Sequence, residues 1–213
     1  MNEVALTNKT HASIDLNSEN RERKSDFIYP ELDRTGTALN LPRNILKTAD
    51  IIYRRAAEAG FTKSRGMKTV TAAALYAACR GHNIPITLDE ISNISGIDRL
   101  KLGRTYRLLS KALSLKITPA SPIEYVQRLC TQLNLDKSAQ LKAVEIINRA
   151  SEQELTNGKN PYSIAVAALY IASILCDNRK TQREVGQAAG ISEVTLRNNF
   201  KELNEKLGIG LVV

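Results

Sequence analysis

Apolar residues recur at helical spacing along most of the chain after residue 30. Ile45, Ala49, Ile52 and Ala56 follow one another at steps of four, three and four residues, which places them on one helix face. The run at 70–81 is apolar nearly all round, so we expect its helix to be buried at the centre of a bundle. The pattern predicts five helices in the first half of the chain. They lie at 31–40, from residue 42 onward, at 70–81, at 87–96 and after residue 98.

The predicted helix starts carry recognisable capping residues. TLDE at 87–90 and TQRE at 181–184 have the spacing of a capping box, in which the threonine and the glutamate satisfy each other's backbone amides. Asp98 and Ser192 are the predicted N-caps of the helices that follow. The two glutamates are therefore assigned a structural role.

The chain matches itself without a gap when it is shifted by 94 residues. Residues 69–113 fall on 163–207, and the register continues upstream, so the repeats cover about 28–113 and 122–207. This period is too long for a solenoid repeat and indicates two copies of one small domain. Identical pairs include Ala73/Ala167, Leu75/Leu169, Tyr76/Tyr170, Glu90/Glu184, Gly96/Gly190, Leu102/Leu196, Leu109/Leu203 and Leu113/Leu207.

The duplication predicts an all-α fold of two tandem five-helix domains, the second of which ends in a helix-turn-helix. We expect a polar N-terminal tail at 1–27, the first domain at 28–116 and the second at 122–208. The linker at 117–121 lies where prolines discourage a continuous helix, and 209–213 form a C-terminal tail.

Positive charge is concentrated in the first half of the chain. The protein has 213 residues, a formal net charge of +8 and 43% hydrophobic residues, which is ample for a folded core. Residues 28–120 alone carry +8, whereas 121–213 carry +1. This distribution favours a polyanionic partner such as nucleic acid.

The sequence offers no catalytic or metal-binding motif. Cys79, Cys130 and Cys176 are scattered, which argues for a reducing compartment and against both disulfides and zinc. His11 and His82 are isolated, and no phosphate-binding glycine loop or HExxH motif is present. No apolar run approaches the roughly 18 residues of a membrane span, so we expect a soluble protein. The lack of a catalytic motif predicts that it is not an enzyme, and we expect it to be a monomer.

The segment 181–203, TQREVGQAAGISEVTLRNNFKEL, has helix-turn-helix spacing. Together with AAALYAAC, TLDEIS, GIDRLKLGRTYRLL and VAALYIAS, it resembles the two cyclin-type repeats of archaeal transcription factor B, which is similar to eukaryotic transcription factor IIB. The resemblance implies binding to the complex of promoter DNA with the TATA-box-binding protein, and recruitment of RNA polymerase. It also implies a cytoplasmic location, or a nuclear one if the source is eukaryotic.

The resemblance assigns base recognition to the second repeat. Members of the family contact a purine-rich element upstream of the TATA box through this helix-turn-helix, and GISEVTLRNN places Val194 and Arg197 at the contacting positions, with Thr195 beside them. Arginine can bond guanine O6 and N7 together, and a valine methyl can contact thymine. Asn198 and Lys201 share that face and are candidates for phosphate contacts; a solvated surface role remains the alternative for each.

Further candidates for contact with the DNA backbone lie in two turns. TKSRGMK at 62–68 carries Lys63, Arg65 and Lys68 on a predicted turn before the central helix, and Lys159 occupies the equivalent turn of repeat two. Such contacts add affinity that depends on salt but do not distinguish sequences. Simple solvated loops are the alternative.

The predicted last helix of the first repeat is cationic. It carries Arg99, Lys101, Arg104 and Arg107, and the resemblance implies that this repeat contacts the acidic side of the TATA-box-binding protein. Gly103 lies inside this helix, where glycine costs about 1 kcal/mol relative to alanine. A close approach of another helix is the expected reason.

Family members normally begin with a zinc ribbon, and its cysteine pairs do not occur here. We therefore expect either a core fragment, which is the preferred interpretation, or a natural variant without the ribbon; zinc is expected only in such a ribbon, and no other cofactor. Two other functions remain open. A cyclin-like adaptor that binds only proteins would share the fold, whereas an RNA-binding factor would need an aromatic stacking surface that the sequence lacks.

Overall fold

The computed structural model describes residues 29–212, and these contain eleven α-helices and no β-strand. They divide into two compact units between Thr118 and Pro119. The predicted tail at 1–27, with His11, lies outside the described residues. The all-α fold with two tandem helical repeats is confirmed.

The first unit is built around a buried central helix, α4. Its residues from Thr69 to Leu75 are all buried, because neighbouring helices cover every side of it, as the apolar run predicted. The neighbours that cover it most are α2 and α6. The helices of this unit are α1 (Pro30–Ala38), α2 (Arg43–Glu58), α3 (Phe61–Arg65), α4 (Met67–Gly81), α5 (Leu88–Ser95) and α6 (Arg99–Ala112).

The second unit repeats the plan around α9. This helix is buried from Ser163 to Ser173, including the large side chain of Tyr170. Helices α8 and α11 pack against it most extensively. The helices of this unit are α7 (Ile123–Gln132), α8 (Lys137–Glu152), α9 (Pro161–Leu175), α10 (Gln182–Ala189) and α11 (Glu193–Lys206).

Pairs of contacts show that the two repeats are packed alike. Tyr76 meets Tyr106 edge to face at 4.7 Å between ring centroids, and the residues 94 positions later, Tyr170 and Phe200, do so at 5.3 Å. A second pair caps the last helix of each repeat: Arg55 donates to the carbonyl of Leu113, and Arg149 donates to that of Leu207. The sequence duplication is therefore also a duplication of specific contacts.

The predicted helix caps are confirmed. Both capping boxes form, with Glu90 and Glu184 each accepting from the backbone amide of its threonine. Asp98 and Ser192 accept from backbone amides at the starts of α6 and α11.

Two expectations about the first repeat were wrong. The segment at 62–68 is not a simple turn: Lys63 and Arg65 lie on the short helix α3, and Lys68 lies in the first turn of α4. Gly103 is not explained by a close helix approach. A β-carbon there would lie 3.5 Å from the Cδ1 atom of Leu88, which is an ordinary van der Waals distance.

The segments after the last helix of each repeat pack against the adjoining core. In the first repeat the buried Arg80 donates a 2.9 Å hydrogen bond to the carbonyl of Thr118. In the second, the Asn204 side chain donates to the Leu211 carbonyl and accepts from its amide, at 2.8 and 2.9 Å. Within the predicted C-terminal tail, Ile209 and Leu211 pack against the second core, whereas Val212 is exposed.

Candidate nucleic-acid interface

Helices α10 and α11 are joined by a short turn that is held by several hydrogen bonds. Helix α10 ends at Ala189 and is followed by Gly190, which has a φ of 64° in the left-handed region that glycine adopts without strain. The Ile191 amide donates to the Gly186 carbonyl at 3.0 Å, and Ser192 then caps α11. The Tyr162 hydroxyl donates to the Ala189 carbonyl at 2.8 Å and ties the end of α10 to α9. These bonds hold the turn together and link it to α9.

Helix α11 has one buried and one exposed face. Leu196, Phe200 and Leu203 are buried against the second core. The opposite face is exposed and carries Val194, with 64% of its surface accessible, followed by Arg197, Asn198 and Lys201 at steps of three, one and three residues. Helical geometry brings these four side chains onto one face, as the sequence predicted.

The Thr195 side chain is exposed but already engaged. Its hydroxyl lies 2.8 Å from the hydroxyl of Ser192, the N-cap of the same helix. Thr195 therefore offers its methyl group and the two remaining hydrogen-bonding positions of its hydroxyl to a partner.

Arg197 has a partner that sequence reasoning missed. Its Nε donates to the Oε1 atom of Gln182 at 3.1 Å, across the gap between α11 and α10. Fifteen residues separate the two, so no helical periodicity on one element could reveal the pair.

Lys159, which was predicted to contact the DNA backbone, already has a partner within the protein. Its Nζ lies 2.6 Å from a carboxylate oxygen of Glu202 on α11, and the Lys206 ammonium bonds the same oxygen at 3.2 Å. The hydrogen bond from Lys159, followed by that from Lys206, holds the pKa of the Glu202 carboxyl below its ordinary value. Much of the Lys159 charge is thus neutralised within the repeat.

The predicted backbone-contacting residues of the first repeat lie together near the start of α4. Lys63 and Lys68 are exposed, whereas Arg65 is half-buried. Arg65 lines an open concavity of about 530 Å³, together with Phe61, Leu108 and Lys111.

Helix α6 presents the expected cationic surface. Lys101, Arg104 and Arg107 are exposed, and Arg99 pairs with Asp89 at 2.7 Å. In the register of the repeat, Gly103 stands at the position of Arg197, so α6 carries no side chain at that position.

The part of the chain that the structure describes contains no group of His, Cys, Asp and Glu placed to hold a metal ion. Burial raises the pKa of the Cys79 thiol to about 12, and His82 shares a 3.0 Å hydrogen bond with Thr48 at the end of α4. No helix within 29–212 is long and apolar enough to cross a membrane.

Comparison with known proteins agrees with the duplicated fold. The family model described as "Transcription factor TFIIB repeat" matches residues 27–112 and 115–206. Similar curated proteins are the archaeal proteins named Transcription initiation factor IIB from Methanothrix thermoacetophila, 52% identical over 192 residues, Methanosarcina mazei, 51%, and Archaeoglobus fulgidus, 50%. In each case 90% of this chain is covered, but only 57%, 57% and 59% of the relative.

The chain thus spans a little over half the length of these relatives, and the resemblance that its repeat motifs predicted is confirmed. The chain belongs to the TFIIB repeat family, whose members are transcription factors rather than enzymes.

Proposed function

We propose that this chain is the core of a general transcription initiation factor, which binds the complex of promoter DNA with the TATA-box-binding protein. In this proposal the second repeat recognises the element upstream of the TATA box. The observation that carries it is the exposed face of α11, with Val194 and Arg197 directed away from the core of the second TFIIB repeat.

The chemistry of this face suits the major groove. In helix-turn-helix proteins the first residues of the second helix contact base edges, and Val194, Thr195 and Arg197 all lie within the first five residues of α11. Arg197 can donate two hydrogen bonds to guanine, and the methyl groups of Val194 and Thr195 can contact thymine. Asn198 and Lys201, one turn further along, would bond phosphates and fix the register.

The first repeat would supply affinity rather than base recognition. Lys63 and Lys68 are exposed cations that can bond phosphates downstream of the TATA box, and Arg65 can join them from the edge of its concavity. The exposed cations of α6 are suited to an acidic protein surface, which we assign to the TATA-box-binding protein. Lys159 would contribute less than Lys201, because a phosphate must compete with Glu202 for its ammonium.

Because the two repeats would contact different partners, the bound factor would distinguish the upstream from the downstream side of the promoter. We further propose that it thereby orients RNA polymerase, and that it acts at the chromosome in the cytoplasm of an archaeal cell. The naming of its archaeal relatives as transcription initiation factors supports this.

A gel shift with the TATA-box-binding protein and promoter DNA tests the proposal. We expect the chain to supershift the complex, and scrambling the upstream element to weaken the supershift. Arg197→Ala should cost about 1–3 kcal/mol of binding on the intact element and little on the scrambled one. Lys201→Ala, on the same face, is the matched control, because losing a phosphate contact should weaken binding to both DNAs equally.

The absence of a supershift, with both proteins folded and the TATA-box-binding protein bound to DNA, would contradict the proposal. The cyclin-like adaptor that binds only proteins would then become the better interpretation. An adaptor would also tolerate Arg197→Ala without any change in its binding.

A further inference from the structure

The hydrogen bond between Arg197 and Gln182 involves a residue outside α11, the helix proposed to contact the bases. Gln182 is the first residue of α10, immediately after the Thr181 cap, and its side chain is half-buried. Its Oε1 atom accepts from Arg197 Nε at 3.1 Å, whereas Arg197 itself is exposed. A half-buried side chain on α10 thus bonds a longer, exposed cationic side chain on α11.

The bond selects which part of the guanidinium faces the DNA. Arginine has five N–H donors, and it can meet two acceptors either through Nε and one Nη or through the two Nη atoms. Since Gln182 already occupies Nε, the pair of Nη atoms remains for a partner. That pair matches the O6 and N7 acceptors of a guanine in the major groove.

We infer that Gln182 is a positioning residue for base recognition, which fixes the Arg197 side chain before DNA binds so that its two Nη groups meet one guanine. The inference rests on the function proposed above. Holding a long side chain in its bound conformation reduces the conformational entropy lost on binding, an effect that corresponds to about two- to tenfold in affinity.

The capping box makes this position a stable anchor. Thr181 and Glu184 satisfy each other's backbone amides at the start of α10, so Gln182 is not needed to cap the helix. Replacing its side chain should therefore leave α10 in place and change only the freedom of Arg197.

The test measures discrimination between bases as well as affinity. Binding to the complex of promoter DNA with the TATA-box-binding protein is measured on a panel in which each upstream base pair is substituted in turn. Gln182→Met keeps the length of the side chain and removes the acceptor. We expect it to weaken binding to the intact element about two- to tenfold and to reduce discrimination at the same base pair that Arg197→Ala affects.

A double-mutant cycle separates positioning from a general structural effect. In the Arg197→Ala background, Gln182→Met should produce no further loss of discrimination, because the residue that it positions is gone.

Gln187→Met is the matched control on the same helix. Gln187 is exposed and its backbone carbonyl, not its side chain, accepts from Gly190, so this variant should discriminate like the unmodified chain. Thermal unfolding of each variant checks that the fold is kept, and Gln182→Ala provides a second variant if the methionine is not tolerated.

Two negative results have different meanings. If Arg197→Ala abolishes discrimination and Gln182→Met and Gln182→Ala leave it unchanged, the positioning role is overturned and the proposed function stands. If the unmodified chain itself does not distinguish the substituted elements, the proposed function fails and this inference fails with it.

Discussion

Replacing Gly103 by alanine should stabilise the first repeat. The residue lies in the interior of α6, and an added β-carbon would meet only the end of the Leu88 side chain, at 3.5 Å. Because this is ordinary contact, the substitution adds a little packing and no clash. Alanine also removes the entropic cost of holding a glycine in a helix.

The expected gain is about 0.5–1 kcal/mol in the free energy of unfolding. Gly186 in α10 offers a contrasting site in the second repeat. A β-carbon there would lie 3.0 Å from the backbone carbonyl oxygen of Ile191, in the turn of the helix-turn-helix. The same gain in helix propensity is then opposed by a crowding cost of about 1–3 kcal/mol, so Gly186→Ala should be neutral or destabilising.

Urea unfolding followed by circular dichroism, with hydrogen exchange to assign each transition to a repeat, measures both variants. We expect a higher urea midpoint for the first repeat in Gly103→Ala and an equal or lower midpoint for the second repeat in Gly186→Ala. A destabilised Gly103→Ala would show that α6 needs glycine for a reason that its contacts do not reveal. Equal stabilisation by both substitutions would refute the argument from the crowded turn.

Three further outcomes follow from the contacts. Arg149→Met should lower the free energy of unfolding, measured by thermal unfolding, by about 1–3 kcal/mol, and Arg55→Met should lower it less. The Arg149 bond to a helix-end carbonyl is 2.7 Å long and partly buried, whereas the Arg55 bond is 3.2 Å long and exposed. Equal effects of the two substitutions would contradict this expectation. In the native protein a thiol reagent should label Cys176 before Cys79, whose pKa burial raises to about 12, and mass spectrometry of the peptides would show any reversal. Hydrogen bonds from two lysine ammonium groups lower the pKa of the Glu202 carboxyl. Its contribution to stability is therefore present above its ordinary pKa of about 4.3 and is lost as the pH falls through the lowered value. Glu202→Gln should flatten the acid limb of a plot of stability against pH, and an unchanged limb would count against the ion pair.

Features that depend on local chemistry or on the internal repeat could be predicted from the sequence. Capping boxes are determined by residues three positions apart, so 87–90 and 181–184 are recognisable without a structure. The buried central helix follows from an apolar run with no polar side. The exposed face of α11 follows from its stripe of Leu196, Phe200 and Leu203, which leaves Val194 and Arg197 on the opposite side.

Features that depend on contacts between separate elements could not be predicted. Helix α3 has only five residues, too few for a periodic pattern, and glycines at both ends made its segment resemble a turn. The bond from Arg197 to Gln182 joins two helices, and the ion pair between Lys159 and Glu202 joins residues 43 positions apart. Such pairs depend on how the helices pack, which spacing along one helix does not specify.

Site-specific crosslinking tests whether the second repeat contacts the DNA upstream of the TATA box. A photo-crosslinking amino acid is placed at Val194, and in a separate sample at Leu100, its equivalent in the first repeat and an equally exposed position. Each sample is assembled with the TATA-box-binding protein and promoter DNA, irradiated, and the crosslinked nucleotides are mapped. We expect the probe at Val194 to crosslink bases directly upstream of the TATA box and the probe at Leu100 not to do so. A complex that assembles normally but crosslinks at Val194 only to protein or to downstream DNA would contradict it.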